Sequence, residues 1–328
     1  MDTYAGVISP REKGPMPNRN WIQPPSGSPG RIEAQQEDVP GALDPRKRLL
    51  MAALVVLWAG VTLLPGREAG GAPQTAEPSS RATETEPPPE ETPVVYYGYN
   101  IMRTYPHDER NFTQGLVYED GFLYEGTGLY KQSVLTKRHL ETGRYVKRLR
   151  LPDQYFGEGI AVFGDKVIQL TWKSEVGFVY DKTTFRELEQ FHFSGQGWGL
   201  TSDGTRLILS DGTSVLRFLD PNTYAETGRL RVHNDRRPVR QINELEFIDG
   251  QIYANILPTD YIAIISPQTG RITGWIDLTG LYIAPEHSPS NVVLNGIAYI
   301  PESKHLLVTG KCWPKIYEIE LVPQTSEP

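Results

Sequence analysis

The chain has 328 residues, a formal net charge of −7, six histidines and one cysteine. The lone Cys312 excludes an intramolecular disulfide, and an acidic chain without a basic aromatic stripe argues against a nucleic-acid partner. His107, His139, His192, His233, His287 and His305 lie scattered, without the spacing of a zinc motif.

In chain order, residues 1–48 are rich in Pro, Gly and charge and lack apolar periodicity, so they read as a disordered tail. Arg46-Lys47-Arg48 then precede an uncharged apolar run, Leu49 to Gly66, whose eighteen residues are close to the shortest helix that spans a bilayer. Basic residues on its N-terminal side keep that side in the cytoplasm and send the rest of the chain out. The run reads as an uncleaved membrane anchor or as a cleaved signal with Ala69-Gly70-Gly71 near the cut, and the long preceding tail favours the anchor. Both readings make the downstream domain an exported one, held at the membrane through residues 49–66 where these are kept. Residues 67–93 are dominated by Pro, Glu, Thr, Ser and Ala, contain no aromatic residue, and read as a solvated linker stiffened by Pro87-Pro88-Pro89.

Residues 94–328 carry the core, and in them one unit recurs five times. Each copy opens on a short apolar step led by Gly or Glu: Gln114-Gly115-Leu116, Glu158-Gly159-Ile160, Trp198-Gly199-Leu200, Asn243-Glu244-Leu245 and Asn295-Gly296-Ile297. Measured at Leu116, Ile160, Leu200, Leu245 and Ile297, the spacings are 44, 40, 45 and 52. Two further apolar stretches follow in each copy, such as Lys166 to Trp172 and Gly177 to Tyr180 in the second, separated by turn signals such as Asp203-Gly204 and Asp249-Gly250. Four copies end in an outer strand, for example Tyr145 to Leu149. The fifth runs out of chain near Leu321, and Val94 to Tyr105 is placed to supply its missing strand. A repeat of this length with several short strands per unit predicts an all-β fold, a five-bladed β-propeller closed by its own N-terminal strand. Closure leaves no free edge, so a monomer is expected.

In a propeller the innermost strands line a central channel, and equivalent residues of the repeats converge there. Gln114, Glu158, Trp198, Asn243, Glu244 and Asn295 flank those places, and Trp172 and Lys311 close the second stretches of their units. One candidate acid/base, several amide donors, a lysine and two tryptophans make a plausible pocket, yet each has a plainer role. Glu158 between glycines suits a turn, tryptophans suit core, the asparagines suit backbone ties and Lys311 suits a solvated strand end. Cys312, with no histidine beside it, reads as a small buried hydrophobe. These residues do not by themselves name a reaction.

Seven strings in order do suggest one. They are Phe112-Thr113-Gln114-Gly115-Leu116, Phe156-Gly157-Glu158-Gly159-Ile160, Leu170-Thr171-Trp172, Gly197-Trp198-Gly199-Leu200-Thr201, Asn243-Glu244-Leu245-Glu246, Asn291 to Tyr299, and Val308 to Pro314. From about Tyr99 to Leu321 the chain resembles the glutaminyl-peptide cyclotransferases of the plant and bacterial type. The resemblance implies a five-bladed propeller that turns the N-terminal glutamine of a peptide or protein into pyroglutamate, releasing ammonia, without catalytic zinc or any cofactor. It implies Glu158 as general acid/base, with Gln114, Asn243 and Lys311 as donors to the oxyanion. Phe112, Phe156, Trp172, Trp198, Glu244, Asn295 and Leu257 fall at substrate-binding positions. Leu257 is a departure, because the family carries Trp where this chain reads Ala254-Asn255-Ile256-Leu257 before Thr259-Asp260. Leucine excludes water but stacks on nothing, and Trp275 is an alternative source of that wall. Two other classes compete. One is a non-catalytic propeller that binds peptides or a protein, which would be expected to have lost the charged residues first. The other is a propeller hydrolase with a channel metal.

Overall fold

The structure is a computed structural model that describes residues 93–325 except position 236. The expectations for residues 1–48 and 49–66, and for 67–93 apart from Pro93, therefore lie outside the described residues. Among the described residues every regular element is a strand.

Strand β1 (Val95–Pro106) comes first. Blade one is β2 (Thr113–Glu119), β3 (Phe122–Thr127), β4 (Val134–His139) and β5 (Tyr145–Arg150). Blade two is β6 (Gly157–Phe163), β7 (Lys166–Thr171), β8 (Val176–Asp181) and β9 (Glu187–His192). Blade three is β10 (Leu200–Ser202), β11 (Leu207–Leu209), β12 (Val215–Leu219) and β13 (Glu226–Arg231). A small hairpin, β14 (His233–Asn234) and β15 (Arg237–Pro238), leads into blade four, which is β16 (Ile242–Ile248), β17 (Gln251–Ile256), β18 (Tyr261–Ile265) and β19 (Ile272–Asp277). Blade five is β20 (Leu294–Ile300), β21 (His305–Gly310) and β22 (Lys315–Gln324), completed by β1.

Within each blade, neighbouring strands pair antiparallel in chain order, as short apolar runs joined by tight turns require. Asp120-Gly121 and Asp249-Gly250 both take positive φ at each residue (51° and 80°, 48° and 81°), the turn whose twist matches a two-residue hairpin. Burial falls from the inside outward. β6 is buried over its first five residues, whereas β9 exposes five of its six. The outer strand β5 carries Lys147, Arg148 and Arg150 on its exposed positions, charges that discourage edge-to-edge pairing.

The ring closes as the repeat predicts. β1 runs antiparallel to β22 from Tyr96 opposite Gln324 to Pro106 opposite Lys315. Its first residues, Val95 to Tyr97, also run parallel to Gly274 to Ile276 of β19, so the strand seams blade five to blade four. Each blade-to-blade junction has its own apolar core. Leu116 and Leu123 meet Ala298 and Leu307 between blades one and five, and Ile160 and Phe178 meet Tyr124 and Leu135 between one and two. Ile168 and Leu170 meet Leu200 and Leu209 between two and three. Leu216 and Leu230 meet Leu245 and Ala263 between three and four, and Ile262 and Ile276 meet Ile297 and Val308 between four and five. The five residues that mark the repeat, Leu116, Ile160, Leu200, Leu245 and Ile297, are at most 1% exposed. The period in the sequence is thus the spacing of buried residues around one ring.

Candidate active site

The inner strands do not pair evenly. In β2 the ladder slips between Thr113 and Gly115, in β6 between Gly157 and Ile160, in β16 between Ile242 and Leu245, and in β20 between Leu294 and Ile297. A bulge releases residues from the pleat and re-aims their side chains. The residues released are Gln114, Glu158, Asn243 and Asn295, while Trp198 holds the equivalent place just before β10. A slip in four of the inner strands, and the residue just before the fifth, therefore present five different side chains at equivalent places of the ring.

The backbone groups near the slips find partners, as buried amides must. Gly159 N–H donates to Trp198 O of the next blade at 2.7 Å, whereas Gly199 N–H donates at 2.7 Å to Ser210 Oγ of its own blade, and that hydroxyl donates on to Asn243 O of blade four at 2.6 Å. These approaches require glycine. A Cβ on Gly159 would sit 2.6 Å from Trp198 O, and one on Gly199 2.0 Å from Asn243 O. In the fourth repeat the glycine position is Glu244, whose Oε1 accepts from Leu116 N–H at 3.1 Å and Oε2 from Ile297 N–H at 2.8 Å. Glu244 is fully buried and ties β16 to β2 and β20. Its burial and the nearby Glu246 push its carboxyl well above the usual range, against the pull of the two amides. Both oxygens are engaged with backbone, so Glu244 braces the ring from blade four to blades one and five.

An arc of aromatic rings borders the level of the released residues. Lys311 Nζ lies 4.9 Å from the centroid of Phe112, Phe112 meets Phe156 edge-on at 6.2 Å, and Phe156 meets Trp172 at 5.4 Å. Trp172 and Trp198 both donate their indole N–H to Gln196 Oε1, at 2.7 and 3.0 Å. Trp198 packs flat on Gly212, where a Cβ would come within 2.6 Å of the ring. Gly212 N–H donates to Ile242 O and Gly212 O accepts from Gln241 N–H, and Gln241 O receives the Leu257 N–H at 2.9 Å, so backbone bonds link the half-buried Leu257 to the glycine under Trp198. Trp275 does not replace a tryptophan there, because it sits in the outer strand β19, edge-on to Tyr261.

Glu158 is 4% exposed and Lys311 6%. Burial pushes the Glu158 carboxyl well above its ordinary value, and the Lys311 charge only partly opposes this. Burial lowers the Lys311 ammonium in turn, while Glu158 and then Cys312 pull it back up. Each group thus makes its partner's charged form easier to keep in a dry place. Among the described residues no protein donor is hydrogen-bonded to the Glu158 carboxyl. Asn295 Nδ2 donates to Thr113 O at 2.9 Å and to Gln114 Oε1 at 3.2 Å, which leaves the Gln114 Nε2 end free to donate. Asn243 Oδ1 and Asn295 Oδ1 are buried acceptors with no donor among the described residues. Cys312 is half-buried rather than buried, at a positive φ of 60° in the turn that carries Lys311.

Sequence reasoning missed three supports of this constellation. Gln196 is one, Ser210 is another, and the third is a hub around Glu125 of β3, itself fully buried. Glu125 accepts from His107 Nε2 at 2.9 Å, Thr113 Oγ1 at 2.8 Å and Asn111 Nδ2 at 2.8 Å, with Arg138 at 3.5 Å. Burial would raise the Glu125 carboxyl, but the charges of His107 and Arg138 and the hydrogen bonds outweigh it and bring it down to about 2. The segment so fixed holds the Lys311 turn. Cys312 N–H donates to Asn111 O at 2.9 Å, His107 N–H donates to Pro314 O at 3.1 Å, and the His107 ring bonds Trp313 O through Nδ1. The one signal in the sequence was a glutamate inside an apolar stretch, Leu123-Tyr124-Glu125-Gly126.

Comparison with known proteins places this arrangement. The family model described as glutamine cyclotransferase matches residues 74–321, beginning upstream of the Tyr99 suggested by the motifs. A glutaminyl-peptide cyclotransferase of Arabidopsis thaliana is 41% identical over 226 residues, which is 67% of this chain and 70% of that protein. The crystal structure of Myxococcus xanthus glutaminyl cyclase superposes with a TM-score of 0.66 at 37% identity, covering 70% of this chain and 99% of that one. With a family match over most of its length, and relatives in a plant and a bacterium, this chain belongs to the glutamine cyclotransferase family in its plant and bacterial form.

Proposed function

We propose that the chain cyclises the N-terminal glutamine of peptides or proteins. The free α-amine attacks the γ-carbonyl carbon of its own residue, a Cδ–N bond forms, and the bond to the side-chain amide nitrogen breaks. That nitrogen leaves as ammonia. The proton lost by the amine equals the proton gained by the leaving group, so one carboxyl can take it and return it. Glu158 suits this shuttle, because its pKa is pushed up toward the working range, where a general acid/base is most effective. The single observation that carries the reading is this buried carboxyl, uncommitted to any donor among the described residues and coupled to Lys311.

The remaining residues answer the other demands of the reaction. Lys311, the free Nε2 of Gln114 and the amide of Asn243 are the donors proposed for the oxyanion, where one such donor contributes about 3 kcal/mol. The unpaired acceptors Asn243 Oδ1 and Asn295 Oδ1 complement an α-amino group, which has only hydrogens to offer while it is an ammonium. Phe112, Phe156, Trp172 and Trp198 are the walls that exclude water and keep the glutamine side chain curled toward its own amine, a proximity problem above all. No step calls on a metal, and turnover is expected to persist in chelator.

The test is incubation of the protein with a Gln-initiated peptide, following ammonia release and loss of the free amino terminus. Wild-type turnover is expected, and a normally folded Glu158→Gln variant is expected to be slower by roughly 100- to 10,000-fold. Undiminished turnover in that variant removes the shuttle role. Peptide binding without turnover in the wild type makes the chain a recognition module.

Export is part of the same proposal, supported by Arg46-Lys47-Arg48 ahead of the apolar run Leu49 to Gly66. Protease added to intact cells, or to spheroplasts of a cell with two membranes, is expected to degrade residues 94–328. Protection of those residues until the membrane is lysed points to a cytoplasmic enzyme.

A further inference from the structure

Trp172 follows β7 in blade two and Trp198 precedes β10 in blade three, yet both indoles end on one atom. An indole N–H only donates, so the side-chain atom between them is the carbonyl oxygen of Gln196 and not its amide nitrogen. The backbone around Gln196 is anchored separately. Gly197 N–H donates to Trp172 O at 3.0 Å, Gly195 N–H to Glu175 Oε1 at 2.7 Å, and Trp198 N–H to Ser210 O at 2.9 Å. Gly197 allows this close approach, since a Cβ there would lie 2.9 Å from Thr171 O. A fixed main chain thus presents one acceptor to two aromatic planes from different blades.

From this geometry we infer that Gln196 is a positioning residue for the proposed cyclisation. Its oxygen locks the two tryptophan walls at a common angle, and the walls in turn hold the substrate side chain in its curled form. A stacked indole keeps rotational freedom about its bond to the backbone, and the face of Trp198 lies against Gly212, which has no side chain to pin the ring. Without the shared acceptor, the two indole N–H groups would turn to water and the walls would part. The glutamine side chain would then sample open conformers that cannot react. The inference rests on the cyclisation proposed above. Its effect falls on kcat more than on KM, because a loosened wall still binds the peptide but orients it less often.

The test compares Gln196→Ala, which has no acceptor, with Gln196→Glu, which keeps one. In the wild type, the indole N–H signals of Trp172 and Trp198 are assigned through Trp172→Phe and Trp198→Phe, and their solvent exchange is measured by NMR. Gln196→Ala is expected to speed exchange of both signals and to lower kcat roughly tenfold or more, with KM changed less than about threefold. Gln196→Glu is expected to restore slow exchange and to bring kcat back within about threefold of the wild type. If Gln196→Ala does not fold, Gln196→Met keeps the volume without the oxygen and takes its place. Wild-type kcat despite fast exchange overturns the positioning role, as does slow exchange in Gln196→Glu together with the kcat of Gln196→Ala. Absence of turnover in the wild type overturns the cyclisation itself and the positioning role with it, an outcome told apart because no variant is involved.

Discussion

At the residue scale the site rests on one pair. Glu158 and Lys311 are both buried, and each is the charged group that offsets the other's burial. The sign of a pH effect follows directly. Removing the Lys311 charge removes the attraction that holds the Glu158 carboxyl down against its burial, so its pKa rises further. Lys311→Met is expected to move the acid limb of the kcat/KM profile to higher pH and to lower the plateau by about 100-fold through the lost oxyanion donor. An acid limb that stays in place separates the two groups electrostatically. In the wild type that limb should lie above the ordinary 4.5 of a glutamic acid, since burial raises Glu158.

At the scale of elements, the bulged inner strand is the unit that makes a site out of a repeat. Each slip frees a side chain for the channel and leaves amides for a neighbour to satisfy. Glu244 shows what the second task needs, since one carboxylate serves Leu116 and Ile297 on two other blades. Glu244→Leu leaves both amides unpaired and is expected to destabilise the protein by about 2–5 kcal/mol, read from chemical denaturation. A change below about 0.5 kcal/mol would mean that water takes the brace's place without penalty.

The Glu125 hub acts at the same scale, fixing the segment that carries the Lys311 turn. Its folded pKa is depressed to about 2, below the ordinary 4.5. The stability it contributes is therefore present above the ordinary value and lost as pH falls toward about 2. Glu125→Gln is expected to flatten the loss of stability between those values and to destabilise the fold at neutral pH by about 3–5 kcal/mol, because His107 and Arg138 lose their buried counter-charge. An unchanged acid-denaturation profile would assign that pH dependence to other carboxyls.

At the scale of the whole molecule, stability comes from five junction cores and from the strand that closes the circle. β1 pairs along β22 and seams blade five to blade four, so its removal opens an edge on both sides of the ring. Deleting the chain through Pro106 is expected to lower the melting temperature by roughly 10 °C or more and to cause self-association through the exposed β22 edge, measured by calorimetry and size-exclusion chromatography. A monomer of unchanged stability would show the other blades to suffice.

The sequence alone determined the repeat, the number of blades and the strand that closes them. A buried residue recurring at each inner strand leaves a period, and local turn chemistry marks the hairpins. It also picked out Gln114, Glu158, Trp198, Asn243 and Asn295, because equivalent places in a repeat must meet on one ring. The structure assigned their surroundings. Glu244 occupies the same sequence step as four glycines, and only the packing of blades one, four and five reveals it as a brace. Gln196 and Glu125 sit outside any repeat signal, since what they do depends on partners from other strands: two indoles from different blades, and a histidine eighteen residues away. Periodicity is a local property that a chain displays before it folds. Hydrogen bonds between distant side chains, and the burial that shifts Glu158, arise only once the ring has closed.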